Sequence, residues 1–470
     1  MNIRVRVLDV THVQPDQTAN QPAGDDAMIK LSPFDTFFLA LRPIQRLFFY
    51  DDGDGDGTSL PPFPSLASSL RASLGATLAV FTPLAGKLTA YSDDHDVAID
   101  CSPGAAHPGV RFVEAEYSGD AADMRRLVRD VEHDTEAFLQ LVPELEVGRL
   151  PAPVLAVQVT RPAAGGGAVA VGVTMHHAAG DGQSLWQFMR AWSTASREGS
   201  LAGAAAPTFD RAGLLRHPKA RDAARNLVRF SAPELPKVNM FPEPDWTRQS
   251  RRTYLVTAGQ IQSLKRRIVQ SQAAAKNGDG EPELPTTYVA IASLLWTSIA
   301  RAKSLDNAAD EEEYFLFPAD CRRRLQPPLE PGFFGNCIKV RYARATTGDL
   351  VCRDGGNDDD GLARAAAAFW RAIREHVEEE DPLGDADRWV EVIRGVPRER
   401  IAKQGSSHRF MAYEVDFGWG QPSRVELVSV SSAEMTTLLG APGGAVQVSV
   451  ALHPDHVDGF EASFLAQVSA

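Results

Sequence analysis

The residues with the clearest chemical potential are two histidines and an aspartate in the run His176-His177-Ala-Ala-Gly-Asp181-Gly182. A neutral imidazole, with a pKa of about 6.5, can take a proton from a hydroxyl or an amine at neutral pH. Asp181 follows His177 by four residues, close enough to brace the turn between them. We therefore interpret His177 as a candidate general base.

The H-x-x-x-D spacing alone is not specific, because the chain contains a second copy in His12-Val-Gln-Pro-Asp16. The neighbouring sequence distinguishes the two copies. His12 lies in a polar N-terminal stretch, whereas His177 follows an apolar β-branched run and precedes a helical pattern. A strand, a turn and a helix in this order can hold an imidazole rigidly beside a cavity.

The sequence contains no other motif for covalent catalysis, phosphate binding or metal binding. It has no G-x-S-x-G elbow, no H-E-x-x-H, no Walker loop and no G-x-G-x-x-G. The acidic run 51–57 is similar to the start of an EF-hand loop, but Phe63 stands where that loop needs a bidentate glutamate. We expect no metal site, and a histidine that acts without a covalent nucleophile.

Periodicity predicts the elements that position the histidine, within a mixed α/β protein. Leucines four residues apart between Leu66 and Leu78 predict a helix. Two β-branched runs, 153–160 and 168–175, predict strands joined by a glycine-rich loop. Apolar residues at helical spacing over 183–197 predict a helix directly after the histidines.

Composition and charge exclude several classes of protein. The 470 residues are 44% hydrophobic, which predicts a globular chain with two large domains. The net charge of −13 disfavours a nucleic-acid partner. Four cysteines and an N-terminus without an apolar export signal predict a cytoplasmic protein. The uncharged stretch 284–300 contains proline and several hydroxyl residues, which favours a buried helix over a membrane span.

A second motif, Asp416-Phe-Gly-Trp-Gly420, follows 235 residues after Asp181. With H-x-x-x-D it resembles the plant BAHD acyltransferase family, whose members transfer acyl groups from coenzyme A thioesters to hydroxyls or amines. Phe333-Phe-Gly-Asn-Cys337 is similar to the Y-F-G-N-C motif of the anthocyanin and flavonoid glycoside branch, with Phe333 in place of Tyr. Further landmarks of the family lie at 31–35, 46–50, 83–88 and 318–322.

This resemblance implies a chloramphenicol acetyltransferase-like fold, with two α/β domains of similar size and a solvent channel between them. We expect an N-terminal domain over 1–200 that carries H-x-x-x-D and a crossover linker over 201–236. The C-terminal domain, over 237–470, would then carry D-F-G-W-G.

The resemblance also implies roles for individual residues. His177 would deprotonate the acceptor, and Asp181 would form a structural ion pair with an arginine, for which Arg322 is the candidate. Asp416 is a second candidate catalytic residue. The alternative is a structural turn, in which Asp416, Gly418 and Trp419 support the fold.

Coenzyme A carries several phosphates, so its site needs local cations or backbone donors despite the acidic net charge. The region that touches the coenzyme in the family corresponds to Lys265, Arg266, Thr286 and Thr287. The alternative for these residues is a solvated basic helix face and a threonine that caps a helix. We expect acyl-coenzyme A as a co-substrate and no permanently bound cofactor.

The function implied by the resemblance is acyl-coenzyme A dependent O-acyl transfer. The main hypothesis is malonyl transfer to the sugar 6-hydroxyl of an anthocyanin, flavonoid or other phenolic glucoside. The alternatives are a hydroxycinnamoyl transferase of the same family, a condensation domain of a peptide synthetase, and a catalytically silent binding protein on the same fold. We expect a monomer that acts on small molecules, with neither a nucleic acid nor a membrane as a partner.

Overall fold

The protein, seen in a computed structural model, is a mixed α/β chain that divides into two compact units. Unit 1 comprises Met1–Glu243, Leu325–Ile338 and Ala412–Ser429, and unit 2 comprises Pro244–Arg324, Lys339–Met411 and Val430–Ala470. The structure describes residues 3–16, 27–52, 59–91, 94–202, 205–242, 245–275, 284–303, 309–351, 358–378, 381–429 and 434–469. Most of the acidic run 51–57, including its EF-hand-like positions 54, 56 and 57, lies outside the described residues.

The strands, in chain order, are β1 (Val5–Val13), β2 (Met28–Lys30), β3 (Ile44–Asp51), β4 (Lys87–Ala90), β5 (Val97–Asp100), β6 (Val110–Tyr117), β7 (Ala152–Pro153), β8 (Leu155–Pro162), β9 (Ala168–Met175), β10 (Ser250–Val256), β11 (Glu312–Asp320), β12 (Ile338–Thr346), β13 (Ile401–Gln404), β14 (Arg424–Leu427), β15 (Met435–Gly440) and β16 (Val446–Leu452).

The α-helices are α1 (Pro33–Thr36), α2 (Phe63–Leu78), α3 (Pro103–Ala106), α4 (Ala121–Arg129), α5 (Thr135–Gln140), α6 (Gly182–Glu198), α7 (Ala212–Leu215), α8 (Ala220–Ser231), α9 (Ala258–Ala275), α10 (Thr287–Lys303), α11 (Thr347–Val351), α12 (Asp358–Ile373), α13 (Trp389–Arg394) and α14 (Pro454–Ser469).

Unit 1 is built on a sheet with the strand order β1-β6-β8-β9-β3-β14. The pair β6 and β8 is parallel, and the remaining neighbours are antiparallel. Strand β14 comes from near the C-terminus and pairs with β3, so that Leu427 lies opposite Arg46. This pairing explains why 412–429 belongs to unit 1. A smaller sheet, β2-β5-β4-β7, completes the unit's strands.

The large sheet of unit 1 is covered on both faces, because side chains alternate along each strand. On one face Phe48 of β3 packs edge-on against Trp186 of α6, with ring centroids 5.8 Å apart. On the other face Phe49 packs against Phe138 of α5. Strand β9 carries buried residues on both faces, which agrees with its nearly continuous β-branched and small sequence.

Unit 2 is built on a sheet with the strand order β10-β16-β15-β13-β11-β12. Helix α10 lies in its core, and every residue from Val289 to Ala300 is buried. Trp296 of α10 packs against Phe315 of β11 and Phe369 of α12. Within the described residues, no helix is both long enough and apolar enough to cross a membrane.

The structure confirms the predicted elements around the histidines. The leucine stripe forms α2 with all four leucines buried, the two β-branched runs form β8 and β9, and α6 follows. The stretch 284–300 forms most of α10.

The units differ from the linear domains 1–200 and 237–470 expected from sequence. The expected linker 201–236 contains α7 and α8 and belongs to unit 1. Helix α8 was missed because its buried face uses alanines beside Leu227 and Val228 among many arginines, which weakens the apolar signal.

Candidate active site

A buried strand, a short turn and a long helix position His177. The His176 N–H donates to Val154 O (2.8 Å) just beyond the end of β9. His177–Ala179 then forms a single 3₁₀ turn, and α6 begins at Gly182. Its N-cap is Asp181, whose side chain accepts the backbone N–H of Ser184 at 3.1 Å. This arrangement confirms the strand, turn and helix predicted from sequence.

The imidazole of His177 is partly buried and stacks on Phe38, with ring centroids 4.1 Å apart and planes 7° from parallel. Burial lowers the pKa of His177 to about 4, and the charge of Arg46 acts in the same direction. A hydrogen bond of the ring to the backbone, the charge of Asp181 and the neighbouring Asn336 side chain favour the protonated ring and partly offset this effect. His177 is therefore neutral at neutral pH, the form that a general base requires.

A buried carboxylate and a buried amide tie the histidine turn to segment 333–337. Asn336 Nδ2 donates to the backbone carbonyl of His177 at 2.9 Å. The backbone N–H and Nδ2 of Asn336 both donate to Asp35 Oδ1, at 2.9 and 3.2 Å. Asp35 Oδ2 faces Arg211 Nε at 3.4 Å. Because Asp35 and Asn336 are fully buried, this network holds the His177 backbone in one position.

Asp181 uses both carboxylate oxygens to hold backbone groups. Its Oδ1 makes the N-cap hydrogen bond described above. Its Oδ2 accepts the backbone N–H of Cys337 at 3.2 Å. Ser184 Oγ adds a second connection, because it accepts from Gly335 N–H and donates to Gly335 O, both at 2.9 Å. The start of α6 is thus bonded to segment 333–337 at Gly335 and at Cys337.

His176 is unsuited to act as the base. It is fully buried, and burial lowers its pKa to about 3. Its Nδ1 accepts the backbone N–H of Ala178 at 3.2 Å, so this nitrogen serves as a cap for the 3₁₀ turn.

Asp416 organises the D-F-G-W-G segment as a tight turn. Its Oδ1 accepts the backbone N–H groups of Gly418, Trp419 and Gly420 at 2.7, 3.1 and 3.0 Å. The two glycines have φ of +101° and +91°, values that residues with a Cβ rarely adopt. Trp419 packs edge-on against Tyr50, with ring centroids 5.3 Å apart.

The same turn is fixed to the C-terminal end of α6. Ser196 Oγ donates to Phe417 O at 3.0 Å, and Arg197 Nη1 donates to Asp416 O at 3.2 Å. His177 precedes the opposite end of this 17-residue helix, so about 25 Å of helix separates the two sites. Of the two roles left open by sequence for Asp416, candidate catalytic residue or structural turn, this placement favours the structural one.

The remaining candidates lie in unit 2, and each is described within that unit. Arg322, the candidate partner of Asp181, is buried and bonds to Asp320 at 3.3 Å. Since Asp181 belongs to unit 1, the pairing of Asp181 with Arg322 stays a prediction.

The candidate coenzyme residues lie within α9 and at the start of α10, two helices of unit 2. Lys265 is partly buried and Arg266 exposed on α9. Thr286 Oγ1 accepts the backbone N–H of Val289 at 3.2 Å and so caps α10, whose first residue is Thr287. The charges of Lys265 and Arg409 lower the pKa of His408, after the larger effect of burial. The region is therefore locally basic, as binding of phosphates requires.

Sequence reasoning did not single out three residues of this site, Phe38, Arg46 and Asn336. Arg46 and Asn336 stand inside segments noted as family landmarks, but a motif does not show which side chains face the histidine. Phe38 has no signal of its own beyond an apolar run. Each of the three is brought to His177 by tertiary structure.

The described residues form no metal centre, and the thiols of Cys101 and Cys321 are not activated. No group of three or more His, Cys, Asp and Glu side chains among them could hold a metal ion. Burial raises the pKa of Cys101 to about 12 and that of Cys321 to about 11, so both thiols stay protonated at neutral pH.

Known proteins are similar to this chain over nearly its whole length. A sequence profile described as the Transferase family matches residues 4–466. The malonyl-coenzyme:anthocyanin 5-O-glucoside-6'''-O-malonyltransferase of Salvia splendens is 27% identical, over 100% of this chain and 97% of its own. The malonyl-CoA:anthocyanidin 5-O-glucoside-6''-O-malonyltransferase of Arabidopsis thaliana is 30% identical, over 98% of each chain.

The crystal structure of vinorine synthase matches 99% of this chain and 98% of its own, with a TM-score of 0.71 and 18% identity. This likeness concerns the fold alone. It confirms the predicted fold class, a mixed α/β chloramphenicol acetyltransferase-like fold of two domains.

We expect substitutions of Asp416 to destabilise the protein to an extent that depends on the hydrogen bonds they remove. Asp416→Ala leaves three backbone N–H groups without their acceptor, so we expect the free energy of unfolding to fall by about 1–3 kcal/mol. Asp416→Asn keeps the Oδ1 acceptor and should lose less than half as much. Guanidinium unfolding of both variants, followed by circular dichroism, measures the difference. Equal stability of Asp416→Ala and wild type would contradict a structural turn.

Proposed function

This chain belongs to the Transferase family, the BAHD acyltransferases, and on that premise we propose that it transfers a malonyl group from malonyl-coenzyme A to the sugar 6-hydroxyl of an anthocyanin, flavonoid or other phenolic glucoside. The names of the two relatives above support the donor and the class of acceptor. The observation that carries the proposal is the neutral, partly buried His177 on a turn fixed by Asn336 and Asp181.

In the proposed reaction His177 accepts the proton of the sugar hydroxyl while that oxygen attacks the thioester carbonyl. The tetrahedral oxyanion then collapses, the carbon–sulfur bond breaks, and the coenzyme leaves as a thiolate. His177 returns its proton to that thiolate, so the base is restored without an acyl-enzyme. Asn336 and Asp181 favour the protonated ring and would stabilise the imidazolium that forms during the attack.

The other candidate residues have supporting roles in this proposal. We propose that Asp181 and Asp416 are structural, because their carboxylates are used by backbone N–H groups. Lys265, Arg266, Thr286 and Thr287 are proposed to contact coenzyme A, supported by the basic surroundings of Lys265. Arg322 remains the proposed partner of Asp181, and a monomeric, cytoplasmic enzyme remains the expectation from sequence.

Replacing the base tests the role of His177. His177→Ala should lower kcat about 10²- to 10⁴-fold, the usual contribution of a positioned general base. The matched control is His12→Ala, because His12 belongs to the other H-x-x-x-D copy and is exposed on β1. The control should keep wild-type turnover, and both variants should keep the wild-type circular dichroism spectrum. Wild-type turnover by His177→Ala would rule out this base.

The pH dependence follows from the lowered pKa of His177. A base must be unprotonated, so activity is lost as the pH falls through its folded-state pKa, here about 4 rather than 6.5. We expect kcat/KM to stay level from pH 7 down to about 5 and to decline tenfold per pH unit below about 4. Initial rates should be combined with circular dichroism at each pH to show that the protein is folded. An acidic limb centred at 6–7 would contradict the buried, neutral base.

A donor panel tests the function as a whole. Purified protein is incubated with malonyl-, acetyl-, coumaroyl- or caffeoyl-coenzyme A and several phenolic glucosides, and the products are identified by mass. We expect a malonylated glucoside. A coumaroyl or caffeoyl product would make the chain a hydroxycinnamoyl transferase, and no transfer with any pair would favour a silent binding protein.

A further inference from the structure

Arg46 is a charged side chain inside an apolar region of unit 1. It lies in the middle of β3 and is only 4% exposed. Its cross-strand neighbours are Val173 on β9 and Leu427 on β14. Residues directly opposite each other in antiparallel strands project to the same face, so the stem of Arg46 lies between two buried aliphatic side chains.

The described residues give Arg46 no carboxylate. Nη1 donates to the carbonyl of the adjacent Gln45 at 2.9 Å, and the buried Nε has no hydrogen-bond partner there. Two other buried arginines show the usual arrangement, since Arg211 faces Asp35 and Arg341 pairs with Asp385. A buried guanidinium without an anion is costly, because water no longer solvates it. The site therefore lacks one negative group.

The sheet face that carries Arg46 continues along β9 toward His177. On β9, Met175 lies opposite Ile44, one side-chain repeat along the face from Arg46. His177 follows Met175 by two further residues, so its backbone lies two repeats, about 14 Å along the strand direction, from the level of Arg46. An extended arginine side chain covers about half of that distance, one repeat of about 7 Å. Arg46 also acts electrostatically on His177, as its effect on the histidine's pKa shows. The missing anion is thus a group that lies beside the reacting atoms.

We propose that Arg46 binds the free carboxylate of the acyl donor and selects donors that carry one. In a malonyl thioester a single methylene separates the carboxylate from the carbonyl carbon that is attacked. A carboxylate so placed must lie near His177 whenever that carbon does. The planar guanidinium can hold it through two parallel hydrogen bonds. This inference rests on the proposed function for the identity of the donor.

The test compares two donors that differ only in the carboxylate. Wild type and Arg46→Met are assayed with malonyl- and acetyl-coenzyme A and one neutral phenolic glucoside. Methionine fills much of the same space without charge. We expect kcat/KM for malonyl-coenzyme A to fall about 10- to 100-fold, the effect of losing a charge-assisted hydrogen bond. The value for acetyl-coenzyme A should change less than about threefold, so that the donor preference decreases or inverts.

A second variant separates donor recognition from misfolding. Arg46→Lys keeps the charge but not the paired donors, and should lose malonyl-coenzyme A activity by less than Arg46→Met while keeping wild-type melting. If Arg46→Met does not fold, the Arg46→Lys ratio of the two donors decides the question. Equal losses with both donors in a folded variant would overturn the proposal, because they indicate a structural or electrostatic role toward His177.

A third arm asks whether the carboxylate belongs to the acceptor. Acetyl-coenzyme A is assayed with a phenolic glucuronide in place of the glucoside. A selective loss for the glucuronide in Arg46→Met would move the bound carboxylate to the acceptor and overturn the donor assignment. Failure of the proposed function has a different signature, since wild type itself would then transfer acetyl or coumaroyl groups but no malonyl group.

Discussion

Two buried carboxylates fix the position of the histidine turn, and the rest of the site depends on them. Asp35 and Asp181 are both at most 1% exposed and each accepts a backbone N–H of segment 333–337, at Asn336 and Cys337. Buried N–H groups in an irregular segment need such acceptors, since no strand or helix supplies them. In return the segment gives His177 a hydrogen bond to its carbonyl and an amide beside its ring. The same hydrogen bonds that satisfy buried backbone groups therefore also position His177.

This constraint also explains the electrostatics of the site. The two carboxylates that could neutralise a cation near His177 are already occupied, Asp35 by Arg211 and Asn336, and Asp181 by the start of α6. Among the described residues Arg46 therefore has no carboxylate partner, in a chain whose net charge is −13. The overall charge of a protein predicts which polyanions it avoids. It says little about the charge around a single buried side chain such as Arg46.

Sequence patterns predicted the strands and helices that depend on local spacing. They did not predict the features that depend on contacts between distant segments of the chain. The strand and helix that flank His177 were predictable, because β-branched runs and helical spacing are local signals. The grouping of 412–429 with unit 1 was not predictable, because β14 pairs with β3 more than 370 residues away in the chain. Segment 325–338 joins unit 1 through hydrogen bonds to Asp35 and Asp181, which are also distant from it in the chain. The same limit hid Phe38, Arg46 and Asn336. Their residue types were visible, but only pairing and packing bring them to one imidazole.

The two motifs that identified the family differ in what they contribute, although the rarer one gave the stronger signal. D-F-G-W-G is a specific pattern because the tight turn restricts which residues fit. The turn needs two residues with positive φ, a carboxylate that accepts backbone N–H groups, and an aromatic side chain that packs on Tyr50. H-x-x-x-D occurs twice here, and only one copy has a strand before it and a helix after it. The rarity of D-F-G-W-G as a sequence pattern therefore reflects the backbone constraints of its turn. For the weaker motif we propose the chemical function at His177, because both carboxylate oxygens of Asp181 accept backbone N–H groups.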